Sequence, residues 1–183
     1  MPEQLILRYC SPTLAGIKTG NLFSYRYDSK DELLKSIRSW NKRLAVKGLR
    51  VALLKTGKEK ALIYIYRPAK LEADLNVPMA KEILKKCGYP IGKTGSCMKE
   101  LVKRLQKCPD FPHEIGLFLG YPPEDVNGFM IDSRKHCKSV GCWKVYGDVE
   151  KAEKIFQQYR KCTDIFCKYW ESGITIDQMA VVS

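Results

Sequence analysis

No stretch of 18 consecutive apolar residues occurs in this 183-residue chain, which removes a membrane-spanning helix from consideration. At the N-terminus, Met1-Pro2-Glu3-Gln4 leads into only Leu5-Ile6-Leu7, too short an apolar core for a signal peptide, so a cytoplasmic location and no membrane partner are expected. Internal repeats and low-complexity tracts are missing as well, which removes solenoids and extended linkers. Acidic residues are scarce: 20 Asp and Glu stand against 32 Lys and Arg, a formal charge of +12.

A doubled cysteine pair is also missing. The eight cysteines are Cys10, Cys87, Cys97, Cys108, Cys137, Cys142, Cys162 and Cys167, and zinc sites normally place two pairs at gaps of two to four residues. Cys162 and Cys167 are five apart on a helical stretch, a rotation of about 500°, which leaves their thiols on different faces. Cys137 and Cys142 share that spacing beside His136, so His136, Cys137 and Cys142 are the candidate metal ligands, below the pattern a zinc site demands. Without an export signal, reduced thiols are expected, with Cys87, Cys97, Cys108 and Cys162 as small buried apolar groups.

What is present is ample apolar content, 45%, enough for a core in a single domain over residues 1–183. The sheet-forming patterns lie in about residues 1–70 and the helical ones in about 71–183. Leu22 to Tyr27 alternates as a strand after the turn chemistry of Thr19-Gly20-Asn21. Ser29-Lys30-Asp31-Glu32 is a capping box that opens a helix along Leu33, Leu34, Ile37, Trp40, Leu44 and Ala45, ended by Gly48. Leu49 to Lys55 and Ala61 to Arg67 read as a hairpin around residues 56–60. Pro78 opens a helix that stops at Gly88-Tyr89-Pro90. Cys142 to Tyr146 adds a short strand, and Asp148 caps a long helix whose Val149, Ala152, Phe156, Tyr159, Thr163, Phe166 and Trp170 form an aromatic-rich inward stripe ended by Gly173. The expected fold is α+β, a small antiparallel or mixed sheet of about four strands packed against a helix-rich layer.

The densest punctuation is in residues 111–130. Pro112 and Pro123 each suit a first helical turn, Gly120 suits a left-handed helix end, and Ile115, Phe118, Leu119 and Val126, Phe129, Met130 repeat an inward spacing. This predicts two short helices in a rigid, buried elbow between the sheet and a lysine-bearing helical layer. His113 and Glu114 fall in the first turn of the first piece, and with Tyr121 they set polar groups over an apolar floor, as small-ligand sites require. They are the candidate ligand-binding residues. His113, Glu114 and Cys108 are the candidate catalytic ones, although no nucleophile motif surrounds them.

Three motifs, Ser11 to Tyr25 (SPTLAGIKTGNLFSY), Phe111 to Phe129 (FPHEIGLFLGYPPEDVNGF) and Gly141 to Cys162 (GCWKVYGDVEKAEKIFQQYRKC), resemble the bacterial domain-of-unknown-function family 3793. The resemblance implies a cytosolic protein of mostly anaerobic Gram-positive bacteria, and it implies no activity.

Residues 81–107 carry eight basic and two acidic groups, half of the excess charge. A helix from Cys97 to Cys108 places Lys99, Lys103 and Lys107 in an outward row, the remaining candidate ligand contacts. Such a surface attracts an anionic ligand or an acidic protein partner. Nucleic acid is compatible with the charge, but no zinc finger, RNP-type motif or helix-turn-helix accompanies it. Gly92-Lys93-Thr94-Gly95-Ser96 resembles a phosphate loop in composition, but Gly88 lies one residue too close for the Walker spacing. No motif specifies a cofactor. The charge and the central elbow together favour a non-enzymatic accessory or binding protein. A thiol- or metal-dependent protein of anaerobic redox or iron handling comes next, then an enzyme centred on His113 and Glu114.

Overall fold

The computed structural model describes residues 1–107, 111–132 and 137–182. The chain is α+β and divides into two compact units: Met1–Lys70 with Lys161–Ser183, and Leu71–Arg160.

The first unit is built on a three-stranded antiparallel sheet in the order β1-β3-β2, with β1 at Gly20–Arg26, β2 at Arg50–Thr56 and β3 at Lys60–Tyr66. By period-2 alternation Ala61, Ile63 and Ile65 share one face of β3, while Tyr64 on the opposite face is buried as well. Phe23, Val51, Ala61, Ile63 and Ile65 enter one core with residues from helices α1 (Glu3–Leu14), α2 (Lys30–Leu44), α8 (Val149–Glu171) and α9 (Ile176–Met179). The expected hairpin is β2–β3, with a register shift between Leu53 and Lys55. Ser29 caps α2 by accepting from the Glu32 N–H, and Gly48, at φ 73°, closes the turn that follows. Arg67 has no exposed surface; its guanidinium donates to the carbonyls of Thr13 (2.7 Å), Leu14 (2.7 Å), Lys47 (3.1 Å) and Val181 (2.8 Å). Thr13 and Leu14 end α1, so the arginine satisfies carbonyls that the helix itself leaves unpaired. Arg43 similarly bridges Glu3 and Asp177 while lying over the Trp40 ring.

The second unit is mainly helical. Helix α3 (Pro68–Asn76) leads into it, followed by α4 (Pro78–Lys86), α5 (Thr94–Lys107), α6 (Ile115–Phe118) and α7 (Pro123–Ile131). Gly88, at φ 76°, stands just past the end of α4. On α5, Cys97, Leu101 and Leu105 are buried while Lys99, Lys103 and Lys107 are exposed. The expected strand at Cys142–Tyr146 is much shorter. Only β5 (Lys144–Val145) pairs with β4 (Ser139–Val140), as a separate two-stranded ribbon rather than a fourth strand of the sheet. The physical reason is that the N–H groups of Tyr146 and Gly147 bond to the Asp125 carboxylate, which takes them from any ladder. On α8 the stripe is as expected. Ala152, Phe156 and Tyr159 enter a core cluster with Trp143 and Val145 in the second unit, and Phe166 enters the core of the first.

Candidate functional site

The densely punctuated segment lies within the second unit, and it forms an interior bend there. Ile115 to Leu119 are buried. Gly120, at φ 73°, takes the left-handed conformation expected of a helix end, and Pro123 starts α7. The two helical pieces approach closely because Gly116 has no side chain: a Cβ there would lie 2.8 Å from Cγ2 of Val126. On the first turn of α7, Asp125 is 3% exposed. It accepts from Nε1 of Trp143 and from the backbone N–H groups of Tyr146 and Gly147, each at 2.7 Å. Three donors on one carboxylate fasten the loop after β5 to α7 and fix the Trp143 indole.

This arrangement leaves a cleft of about 320 Å³ lined by Phe111, His113, Ile115, Gly116, Leu119, Tyr121, Asp125, Val126, Phe129, Trp143 and Lys144. The Tyr121 and Trp143 rings stack at 4.8 Å between centroids, and Trp143 meets Phe156 edge to face at 4.5 Å. The His113 ring stands edge-on to Phe129 at 4.8 Å, and Nζ of Lys144 is 5.4 Å from the Phe129 centroid. Ile115, Leu119, Val126 and Trp143 are buried, whereas Phe111, His113 and Lys144 are exposed. The cleft therefore has an apolar floor and its basic groups toward solvent. Burial, with the nearby Cys142 thiol, pushes the Tyr121 phenol up to about 12, so it remains a neutral hydrogen-bond donor. It donates to the Cys142 carbonyl at 3.2 Å.

A family model described as Protein of unknown function (DUF3793) matches residues 6–180. The chain belongs to that family. The match spans the three motifs and nearly the whole chain, the cleft included. No curated protein and no solved structure matches. Among the described residues, no helix is long and apolar enough to cross a membrane.

Of the residues singled out from the sequence, His113 and Tyr121 meet in the cleft. Glu114 does not line it. Its buried carboxylate accepts from the Tyr89 hydroxyl at 3.0 Å and from Nη1 of Arg104 at 3.4 Å. Arg104 also lies over the Tyr89 ring and donates to the carbonyl of Cys87. Burial and the Glu114 charge push the Tyr89 phenol far up. Lys99, Lys103 and Lys107 stand on the exposed face of α5, with Lys103 paired to Glu100 at 3.3 Å. Cys108 and His136 lie outside the described residues. Cys142 is exposed and Cys137 partly buried, and the described residues contain no cluster of three or more metal-ligating side chains. Phe111, Asp125, Phe129, Trp143 and Lys144 escaped selection as site residues. For Trp143 a signal existed, since strand alternation in Trp143-Lys144-Val145 puts one aromatic inward and one lysine outward.

Proposed function

We propose that this protein is a non-enzymatic binding protein whose second unit takes a small, largely apolar ligand bearing an anionic group. One observation carries this: an apolar cleft of about 320 Å³ with basic side chains at its exposed edge, within the size range of small-molecule sites. The formal charge of +12 and the exposed lysines of α5 support attraction of an anion over longer range. The same exposed row supports contact with an acidic protein partner, a second use of the surface. Cytoplasmic placement accords with this reading.

Other classes draw less support. Burial raises the thiols of Cys10, Cys87, Cys97 and Cys162, the opposite of what a reactive thiolate needs. An enzyme built on His113 and Glu114 would require the carboxylate, which Tyr89 and Arg104 already engage.

Titration with the neutral fluorophore N-phenyl-1-naphthylamine tests the cleft. Saturable binding of one dye per chain is expected, weakened by about tenfold or more in Phe129→Ala, a change of about 1.4 kcal/mol. A signal that never saturates, or one indifferent to that substitution in a folded variant, overturns the proposal.

A further inference from the structure

We propose that the ligand of the cleft is a small aromatic carboxylate, one or two flat rings carrying a single acid group. This rests on reading the cleft as a binding site and specifies what fills it.

The first argument is the shape of the walls. Phe111, His113, Tyr121, Phe129 and Trp143 supply rings, and they are arranged as an edge-on pair, His113 with Phe129, and a stacked pair, Tyr121 with Trp143. A flat ring entering between them meets ring faces and ring edges, which adds attraction beyond the area it buries. A saturated hydrocarbon of the same size gains the area alone.

Charge supplies the second argument. Asp125 is the acid among the lining residues, and both of its oxygens are engaged, Oδ2 by the Trp143 indole and Oδ1 by two backbone N–H groups. It has no strong call on a cationic ligand. The lining base is Lys144, held in β5 by pairing with Val140, with its ammonium over the Phe129 ring. A ring lying against Phe129 brings an attached carboxylate to Lys144, and the exposed His113 stands beside the same ring. Lys144 thus supplies a positive charge at the rim within reach of an acid group on that ring. A phosphate would call for the converging donors that phosphate sites assemble.

Calorimetric titration of the full chain at low salt tests this with four probes: 2-naphthoate, its neutral counterpart 2-naphthalenemethanol, the cationic 2-naphthylmethylamine and the saturated decalin-2-carboxylate. The expected order has 2-naphthoate tightest, by about tenfold over the alcohol and over the saturated acid, an advantage of about 1.4 kcal/mol. In Lys144→Met the advantage of acid over alcohol disappears, and in Lys144→Arg it persists, which separates lost charge from lost folding. Equal binding of naphthoate and alcohol, or tighter binding of the amine, overturns the acid assignment while the cleft stands. Equal binding of the saturated acid overturns the aromatic assignment. Binding by none of the four overturns the ligand-site reading itself.

Discussion

Asp125 and Trp143, eighteen residues apart, are joined by a 2.7 Å hydrogen bond between a buried carboxylate and an indole N–H. The same carboxylate holds the N–H groups of Tyr146 and Gly147, so one side chain sets both the position of the ribbon loop and one wall of the cleft. Replacing Asp125 by Ala leaves three buried or half-buried donors without their acceptor, and bonds to charged acceptors contribute about 1.5–3 kcal/mol each at most. Asp125→Ala is expected to lower unfolding free energy by about 2–4 kcal/mol and to abolish saturable dye binding. Urea denaturation followed by circular dichroism measures the first; an unchanged midpoint would show that the carboxylate does not hold the loop.

Gly128 lies in α7, where alanine is the better helix former by about 1 kcal/mol. A Cβ there would lie 2.6 Å from Cγ and 2.7 Å from Cβ of Tyr146, atoms too close to the backbone to swing aside. Gly128→Ala should therefore destabilise, by about 1–3 kcal/mol, the usual range for overpacking. A stabilised variant in thermal denaturation would mean that the ribbon yields instead.

Arg67 sits in the first unit with four carbonyl acceptors from three separate stretches of chain. Arg67→Met conserves much of the volume but removes the guanidinium donors from all four carbonyls, leaving those of Thr13 and Leu14 with the backbone N–H groups of Gly16 and Val181 alone, and a loss of about 3 kcal/mol is expected. Lysine offers one point of donation in place of a fork, so Arg67→Lys should recover only part of it. Full recovery by lysine in denaturant melts would contradict the geometric role.

Alkaline pH should weaken the fold. Burial pushes the Cys162 thiol up to about 11 and the Tyr121 phenol up to about 12, and raises Cys10 and Tyr159 further. Unfolded, such groups release their protons near pH 8.5 for Cys and about 10 for Tyr. Between those values and the folded ones the unfolded state binds fewer protons, so stability falls as pH rises. Their contribution is whole below about pH 8 and declines above about pH 9. Denaturation midpoints from pH 7 to 11 check it; a flat profile would show that these groups titrate alike in both states.

The parts of the fold legible in the sequence are those whose cause is local. Ser29 with Glu32 began α2, Gly48 and Gly120 took positive φ where helices end, and the i, i+3, i+4 spacing separated Leu101 and Leu105 from Lys99 and Lys103 on α5. Helix α1 was not legible: Pro12 sits inside it, and proline within an apolar run reads as a breaker. Its last carbonyls are instead completed by Arg67, more than fifty residues away. The cleft was half legible, since His113 and Tyr121 belong to one continuous motif. Trp143 and Lys144 reach it only because Asp125 fastens the ribbon loop to α7, and Glu114 leaves it because its partner Arg104 sits on another helix. Long-range pairing of that kind has no periodicity to reveal it.

The first unit takes its strands from residues 20–66 and its last core residues, Ile176, Met179 and Ala180, from more than a hundred positions later, with Val181 bonded to Leu14. On the ribosome, then, all ninety residues of Leu71–Arg160 emerge while the β-sheet still waits for its closing piece. Vectorial synthesis generally lets the N-terminal region fold first; here the chain's wiring makes the middle the earliest part able to finish.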